Sequence, residues 1–277
     1  MGGGQWQVIY LLEKLPESTL LTPENSPLFR EARARRIDVR PLSLFALQRM
    51  ARESDLVHAH DARAHTLAAA LPGARLVVAR RVAFPVNPGI LSRVKYARAE
   101  LYLAVSRYAA GQLESAGIAK EKIRVVYDGV PLVAAARGEE IVALASKGAE
   151  TIQQAAELAR VEVRFAGRLW EDLSKAKMFL YASAMEGLGS AALAAMSASL
   201  PVIASRVGGL VEAVEQDRTG ILVDNRPENF AAAIERLQRD PERAAEMGKR
   251  GRERMEKQFT TDLMVSNTVA AYKEVLG

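Results

Sequence analysis

The chain of 277 residues contains no cysteine. That removes disulfides and thiolate metal sites and fits a reducing compartment. Histidine is nearly as scarce: there are three, all between His58 and His65, a set unsuited to a structural zinc site. Aromatic residues make up 6%, and no basic stripe is interleaved with them, so no nucleic-acid motif is present. No apolar run approaches the roughly 20 residues of a membrane span, and no secretory leader is visible at the start. Repeats at solenoid periods and low-complexity tracts are also absent, apart from alanine-rich segments. What remains is 49% apolar and 26% charged residues, a soluble globular composition long enough for two compact domains.

Charge is unevenly placed. The net +5 divides into 19 Lys/Arg against 12 Asp/Glu over residues 1–132 and 19 against 21 over the rest. A basic first half is suited to an anionic membrane surface or a phosphorylated acceptor; a plainly solvated surface is the bland alternative.

In chain order, short apolar runs alternate with segments of helical period, which specifies an α/β fold with parallel sheets. Gly2-Gly3-Gly4 opens an amphipathic helix through Leu15, although doubly wound domains place a strand before such a glycine loop. Either the chain begins late, at an internal Met, or it has lost the central strand; a truncated reading frame is the expected explanation. Strands follow at Thr19–Thr22, Ile37–Arg40 and Asp55–His60, with helices at Pro27–Arg35 and Leu44–Arg52 between them. The third strand ends in His58-Ala59-His60, and Asp61 can cap the next helix. Ligands bind at the carboxyl ends of parallel strands, so His60 and Asp61 are candidates to face one; the bland reading makes His58 a core contact. Arg75–Ala79 ends in Arg80-Arg81, an arginine pair suited to phosphate or carboxylate. A loop, Val82–Leu91, leads to a basic helix, Ser92–Arg98, a candidate for acceptor or membrane contact. Leu101–Val105 and Ile123–Tyr127 complete the first domain's strands.

The second domain opens with a strand at Glu140–Ala145, then Lys147-Gly148 and a helix, Ala149–Arg160. Another strand, Val161–Ala166, precedes Gly167-Arg168. From Met178 to Glu212 the chain then gives a strand, a loop, a helix and a second strand. The loop places Glu186 before Gly187-Leu188-Gly189, and Ser190–Ala198 starts the helix. A Gly-X-Gly at a helix N-terminus presents unpaired backbone amides and admits close approach, which favours phosphate. An acid there is suited to accepting hydrogen bonds from hydroxyls. A phosphate and hydroxyls together describe a nucleotide sugar, while tight packing at a helix start is the bland reading. Helices at Pro227–Leu237 and Pro241–Lys257, and a last one reaching Leu276, complete the chain.

Glu186-Gly187-Leu188-Gly189, then Ala195-Met196, Pro201-Val202-Ile203-Ala204-Ser205, Val207-Gly208-Gly209-Leu210 and Thr219–Val223 resemble the donor-binding core of retaining glycosyltransferases of family 4. The likeness is dense from Lys177 to Val223 and weaker elsewhere. It implies the fold called GT-B: two Rossmann-like domains facing a cleft, the first here lacking its first strand, and the second shortened. The domains expected are 1–132 on the acceptor side and 139–277 on the donor side, with the last helix a candidate for return to the first.

By this resemblance Glu186 contacts the donor sugar, Gly3 and Gly4 match a cleft-lining loop, and Lys147 neutralises the donor diphosphate. Arg168 is a candidate replacement for a missing upstream Arg. Donor binding is therefore expected at Gly3, Gly4, Lys147, Arg168, Glu186, Gly187, Leu188, Gly189 and Ser190. Glu186 and Lys147 are expected to carry catalysis. The acceptor side is assigned to His60, Asp61, Arg80 and Arg81, with His60 or Asp61 as candidate base. The family's second Glu, expected on the ribose, is replaced by Ala194. The function expected is sugar transfer, with retention, from a nucleoside-diphosphate sugar to a saccharide or glycolipid acceptor in cell-envelope synthesis. It would need no metal or cofactor and no nucleic acid, and would occur in the cytoplasm with the inner membrane face as a candidate docking surface. The alternatives are a non-catalytic nucleotide-sugar binder or partner subunit, and a nucleotide-sugar epimerase.

Overall fold

Runs such as Leu76-Val77-Val78-Ala79 are too short for a helix and apolar on both faces, as strands of a covered parallel sheet must be. The structure, a computed structural model, describes residues 1–144 and 148–277. Two units divide the chain. The first comprises Met1–Tyr127 with Thr261–Gly277, the second Asp128–Thr260.

In the first unit, α1 (Gly3–Leu12) precedes β1 (Leu20–Thr22), α2 (Pro27–Ala34), β2 (Val39–Pro41) and α3 (Leu44–Glu53). There follow β3 (Val57–Ala59), α4 (Ala62–Ala69), β4 (Leu76–Arg80), α5 (Ile90–Ala97), β5 (Leu101–Ala104), α6 (Arg107–Ser115) and β6 (Ile123–Val125). All pairings are parallel, but the strands form two sheets, β1-β2 and β3-β4-β5-β6. Among the described residues no strand joins β1 to β3.

The first helix departs from the sequence reading. It is not amphipathic: Gln7, Val8, Ile9 and Leu11 are all buried. Val8 and Ile9 pack with Leu20, Leu28 and Ala32 beside the small sheet, while Leu11 packs with Val77, Leu101 and Leu103 of the larger one. A helix covered on both sides is apolar all round. The glycines at 3 and 4 are its first two residues, after Gly2 as N-cap, and not a loop.

The second unit holds one parallel sheet in the order β11-β10-β9-β7-β8. Its strands are β7 (Glu140–Leu144), β8 (Val163–Ala166), β9 (Ala176–Tyr181), β10 (Val202–Ser205) and β11 (Gly220–Val223). Helices α7 (Ala149–Ala159), α8 (Leu169–Ser174), α9 (Ser190–Ser197), α10 (Leu210–Ala213), α11 (Pro227–Arg239) and α12 (Pro241–Gln258) surround it, and α13 (Thr261–Leu276) belongs to the first unit. Successive strands run outward from β7 to β8 on one side and from β9 through β11 on the other. The direction of winding therefore reverses between β7 and β9. In open α/β sheets that reversal opens a crevice at the strands' carboxyl ends, where ligands bind.

Candidate functional site

The crevice between β7 and β9 is bordered by the starts of α7 and α9. Gly148, the N-cap of α7, lies so close to the end of β9 that an added Cβ would come 2.6 Å from Ala182 Cβ. Lys147, just before it, lies outside the described residues. On the β9 side, Glu186, Gly187, Leu188 and Gly189 run directly into α9. Gly189 has φ 95°, and a Cβ on it would sit 2.4 Å from Leu210 Cδ2. Both facts demand glycine. Helix geometry leaves the first amides of α9, at Ser190 and Ala191, without intrahelical acceptors.

The loop is clamped from the β10 side. Gly209 donates its amide to the Glu186 carbonyl at 2.9 Å. Deeper in, Ser205 Oγ accepts from the Ser183 amide at 3.0 Å and donates to Asn225 Oδ1 at 2.9 Å. Ser183 and Ser205 are fully buried, so this chain of bonds ties together the ends of β9, β10 and β11. Ser183 Oγ also bonds Glu186 Oε1 at 3.2 Å. The Tyr181 phenol is held above its ordinary pKa by burial and, next, by its hydrogen-bonded neighbour Glu186. Glu186 itself is half-buried. Its carboxylate thus accepts from hydroxyls already, which fixes its orientation beside the helix start.

The remaining donor-side expectations fall elsewhere. Arg168 is the N-cap of α8, exposed and paired with Glu171 at 3.1 Å, and its amide bonds Asp172. Its described partners lie within α8 and not in the Glu186 loop. Ala194 is 1% exposed, and α9 around it is buried from Ala191 to Ser197. Alanine there is a packing residue between the sheet and α12, not a vacancy at the surface.

The first unit brings a second group together at the carboxyl ends of β3 and β4. His58 Nδ1 and Tyr272 Oη of α13 are 2.6 Å apart, and the His58 and His60 rings lie tilted by 39° with centroids 3.9 Å apart. Arg81 reaches His60 Nδ1 at 3.0 Å. Arg81 also borders the first turn of α1, since a Cβ on Gly4 would lie 3.8 Å from its Cδ. Burial first, and then Arg81, pushes His58 down to about 3. His60 is lowered by burial, His58 and Arg81 in that order. Both imidazoles are therefore neutral near pH 7.

This geometry bears on the proposed base. A guanidinium can only donate, so His60 Nδ1 is the acceptor and the ring proton sits on Nε2. In this arrangement Nε2 offers a hydrogen bond and cannot take a proton. Asp61 is exposed and caps α4 by accepting from Ala64 N at 2.8 Å, as its sequence position implies. The arginine pair is split. Arg80 turns to the opposite side, bonding Tyr96 Oη at 3.2 Å and the Phe84 carbonyl. There Tyr96 stacks on Tyr102, and His65 meets both rings edge-on. Arg80 is thereby an internal brace on the side of His65, and Arg81 stands beside His58 and His60.

Residues 1–133 match the family described as Glycosyltransferase Family 4, and residues 144–254 the family described as Glycosyl transferases group 1. An alpha-maltose-1-phosphate synthase of Mycolicibacterium smegmatis is 38% identical over 115 residues, 39% of this chain and 30% of the synthase. A GDP-mannose-dependent phosphatidylinositol monomannoside mannosyltransferase of Mycobacterium tuberculosis is 40% identical over 83 residues, 30% of this chain and 22% of that enzyme. The matched stretches thus span less than a third of these relatives. Among solved structures, Anabaena HepE in complex with UDP and glucose superposes with a TM-score of 0.87 at 16% identity, covering 99% of this chain and 96% of that one. The lipopolysaccharide outer core galactosyltransferase WaaB does so with a TM-score of 0.71 at 15% identity, covering 99% and 96%.

Proposed function

We propose, on the premise that the chain belongs to the family 4, group 1 glycosyltransferases and has their GT-B fold, that it transfers a hexose from a nucleoside-diphosphate sugar to a saccharide or glycolipid. The observation that carries this reading is the Glu186–Gly189 loop at the winding reversal of the second unit. It sets an oriented carboxylate beside an unpaired helix N-terminus.

As the glycosidic bond breaks, negative charge builds on the departing diphosphate. Amides at the start of α9, fixed in advance by the Gly209 and Ser205 clamps, meet that charge without reorganising. Lys147, adjacent to Gly148 in sequence, is assigned a full positive charge against the same diphosphate. Glu186 orients the sugar through its hydroxyls. Retention follows in this reading from departure and attack on one face of the sugar, with no protein nucleophile. The reaction draws on no resident cofactor.

Arg81, with His60 donating through Nε2, is assigned to an anionic or hydroxyl-bearing part of the acceptor in the first unit. That unit carries 20 Lys/Arg against 13 Asp/Glu and is proposed to meet an anionic membrane surface. The same reading places the reaction in the cytoplasm at the inner membrane face, in cell-envelope synthesis. Among the described residues no helix is long and apolar enough to cross a membrane.

One observation favours a second reading, a non-catalytic nucleotide-sugar binder: aliphatic, buried Ala194 stands where the family's second acid is expected. Donor hydrolysis without acceptor separates the two. Release of free sugar from a bound nucleotide sugar supports the enzyme, and binding without release supports the binder.

A further inference from the structure

Helix α5 has no buried residue, which is unusual for an element carrying three large aliphatic side chains. Ile90 is 79% exposed, Leu91 87% and Val94 60%. At about 100° per residue, Ile90, Leu91, Val94 and Ala97 fall within one arc of roughly 120°. Arg93 and Lys95 flank this arc on its two sides, while Ser92 and Tyr96 turn the opposite way. The backing is firm: Tyr96 stacks on Tyr102, Lys95 Nζ bonds the Ala62 carbonyl at 3.0 Å, and Arg98 bonds the carbonyls of Ala69 and Leu71. In the preceding loop Val82 and Phe84 are exposed as well, and Arg80 holds the backbone of Phe84. The apolar arc is therefore presented on a braced element.

From Ala62 to Ala99 there are seven Lys/Arg and no Asp or Glu. Asp61, just outside that stretch, acts on Lys95, but Arg93 on the other flank has no acid beside it in sequence; an apolar arc with this cationic border is complementary to the interface of an anionic bilayer. There aliphatic side chains enter the acyl boundary while the cations meet phosphates. We infer that α5 docks the first unit on an anionic membrane by inserting Ile90, Leu91 and Val94. This rests on the reading that the first unit meets an anionic surface, and goes beyond it in assigning the contact to inserted aliphatic side chains with an apolar, salt-resistant component.

The absence of cysteine allows a single reporter to be placed at will. Leu91→Cys carrying an environment-sensitive dye is compared with Lys249→Cys on α12 of the second unit. Both are mixed with phosphatidylcholine vesicles containing roughly 30% phosphatidylglycerol. The Leu91 label is expected to shift to the blue, and the Lys249 label to stay unchanged. An unlabelled Ile90→Ser/Leu91→Ser protein should bind these vesicles at least about tenfold more weakly while melting as the parent does. Added salt should weaken parent binding but leave the bound fraction's label in an apolar setting.

Salt-reversible binding with an unshifted Leu91 label overturns insertion and leaves the electrostatic reading standing. No binding at low salt overturns both. If the parent is a dimer that the double serine change converts to monomer, the arc is a protein interface, and the proposal fails.

Discussion

The amide of Gly209 and the carbonyl of Glu186 are joined at 2.9 Å. The two backbones run so close that a Cβ on Gly209 would lie 1.9 Å from the carbonyl oxygen of neighbouring Gly187. Gly209→Ala must therefore push the acidic loop away from β10. Overpacking of this kind costs about 1–3 kcal/mol, and nucleotide-sugar affinity should fall with it. Gly111→Ala is the control, because its Cβ on α6 meets open space and helix propensity favours it by about 0.5–1 kcal/mol. Urea denaturation of both variants checks this. A Gly209→Ala protein as stable as the parent would show that the loops are not clamped.

Glu186→Gln keeps shape and the bonds of a hydroxyl acceptor but removes the charge that strengthens them. Turnover is expected to fall at least about tenfold, a loss of roughly 1.4 kcal/mol. Tyr181→Phe removes one of the bonds orienting that carboxylate and should have a smaller effect in the same direction. Steady-state transfer or donor hydrolysis measures both. Equal rates for parent and Glu186→Gln would take the carboxylate out of the site.

Lys147→Ala removes a positive charge beside the proposed diphosphate. A charge-assisted hydrogen bond is worth about 1.5–3 kcal/mol, so donor affinity should weaken roughly 10- to 150-fold. Calorimetric titration with the donor decides it. Unchanged affinity in a folded variant would remove Lys147 from the donor site.

His65 is 2% exposed, and burial, followed by Lys95, lowers its pKa from 6.5 to about 4. The unfolded chain takes up this proton near pH 6.5 and the folded chain does not until about 4. The group's contribution to stability is therefore complete above pH 6.5 and is lost as pH falls toward 4. At about 1.4 kcal/mol per pH unit, the loss at pH 5 is at most about 2 kcal/mol. His65→Phe keeps a ring against Tyr96 and Tyr102 but does not titrate. Its melting temperature should fall less than the parent's between pH 7.5 and pH 5, and parallel curves would contradict the assignment.

The strands and the Glu186–Gly189 loop were legible because both are written locally, in apolar runs and in a glycine pattern at a helix start. What was not legible depends on partners far away in sequence. Ser183 is bound by Ser205, which in turn bonds Asn225, and His58 is met by Tyr272. No spacing rule announces those pairings. The first helix was misread because its apolar residues cover two sheets, which erases the one-sided period that marks an amphipathic helix. The arginines at 80 and 81 look like a pair in the sequence, yet successive residues at a strand's end point to opposite faces. Only packing shows that Arg80 faces Tyr96 and Arg81 faces His60.

The central claim is that the second unit binds a nucleotide sugar and that its sugar is then released or transferred. The most direct test incubates the parent and Glu186→Gln with a panel of UDP-, GDP- and ADP-sugars, measuring affinity by calorimetry and the freed or transferred sugar by anomer-resolved NMR. The account predicts that one donor binds the parent, that its sugar appears with the anomeric configuration of the donor, and that Glu186→Gln slows this at least about tenfold. Binding of a donor with no sugar released or transferred would contradict the enzyme and leave a binder. Binding of no donor at all would contradict both.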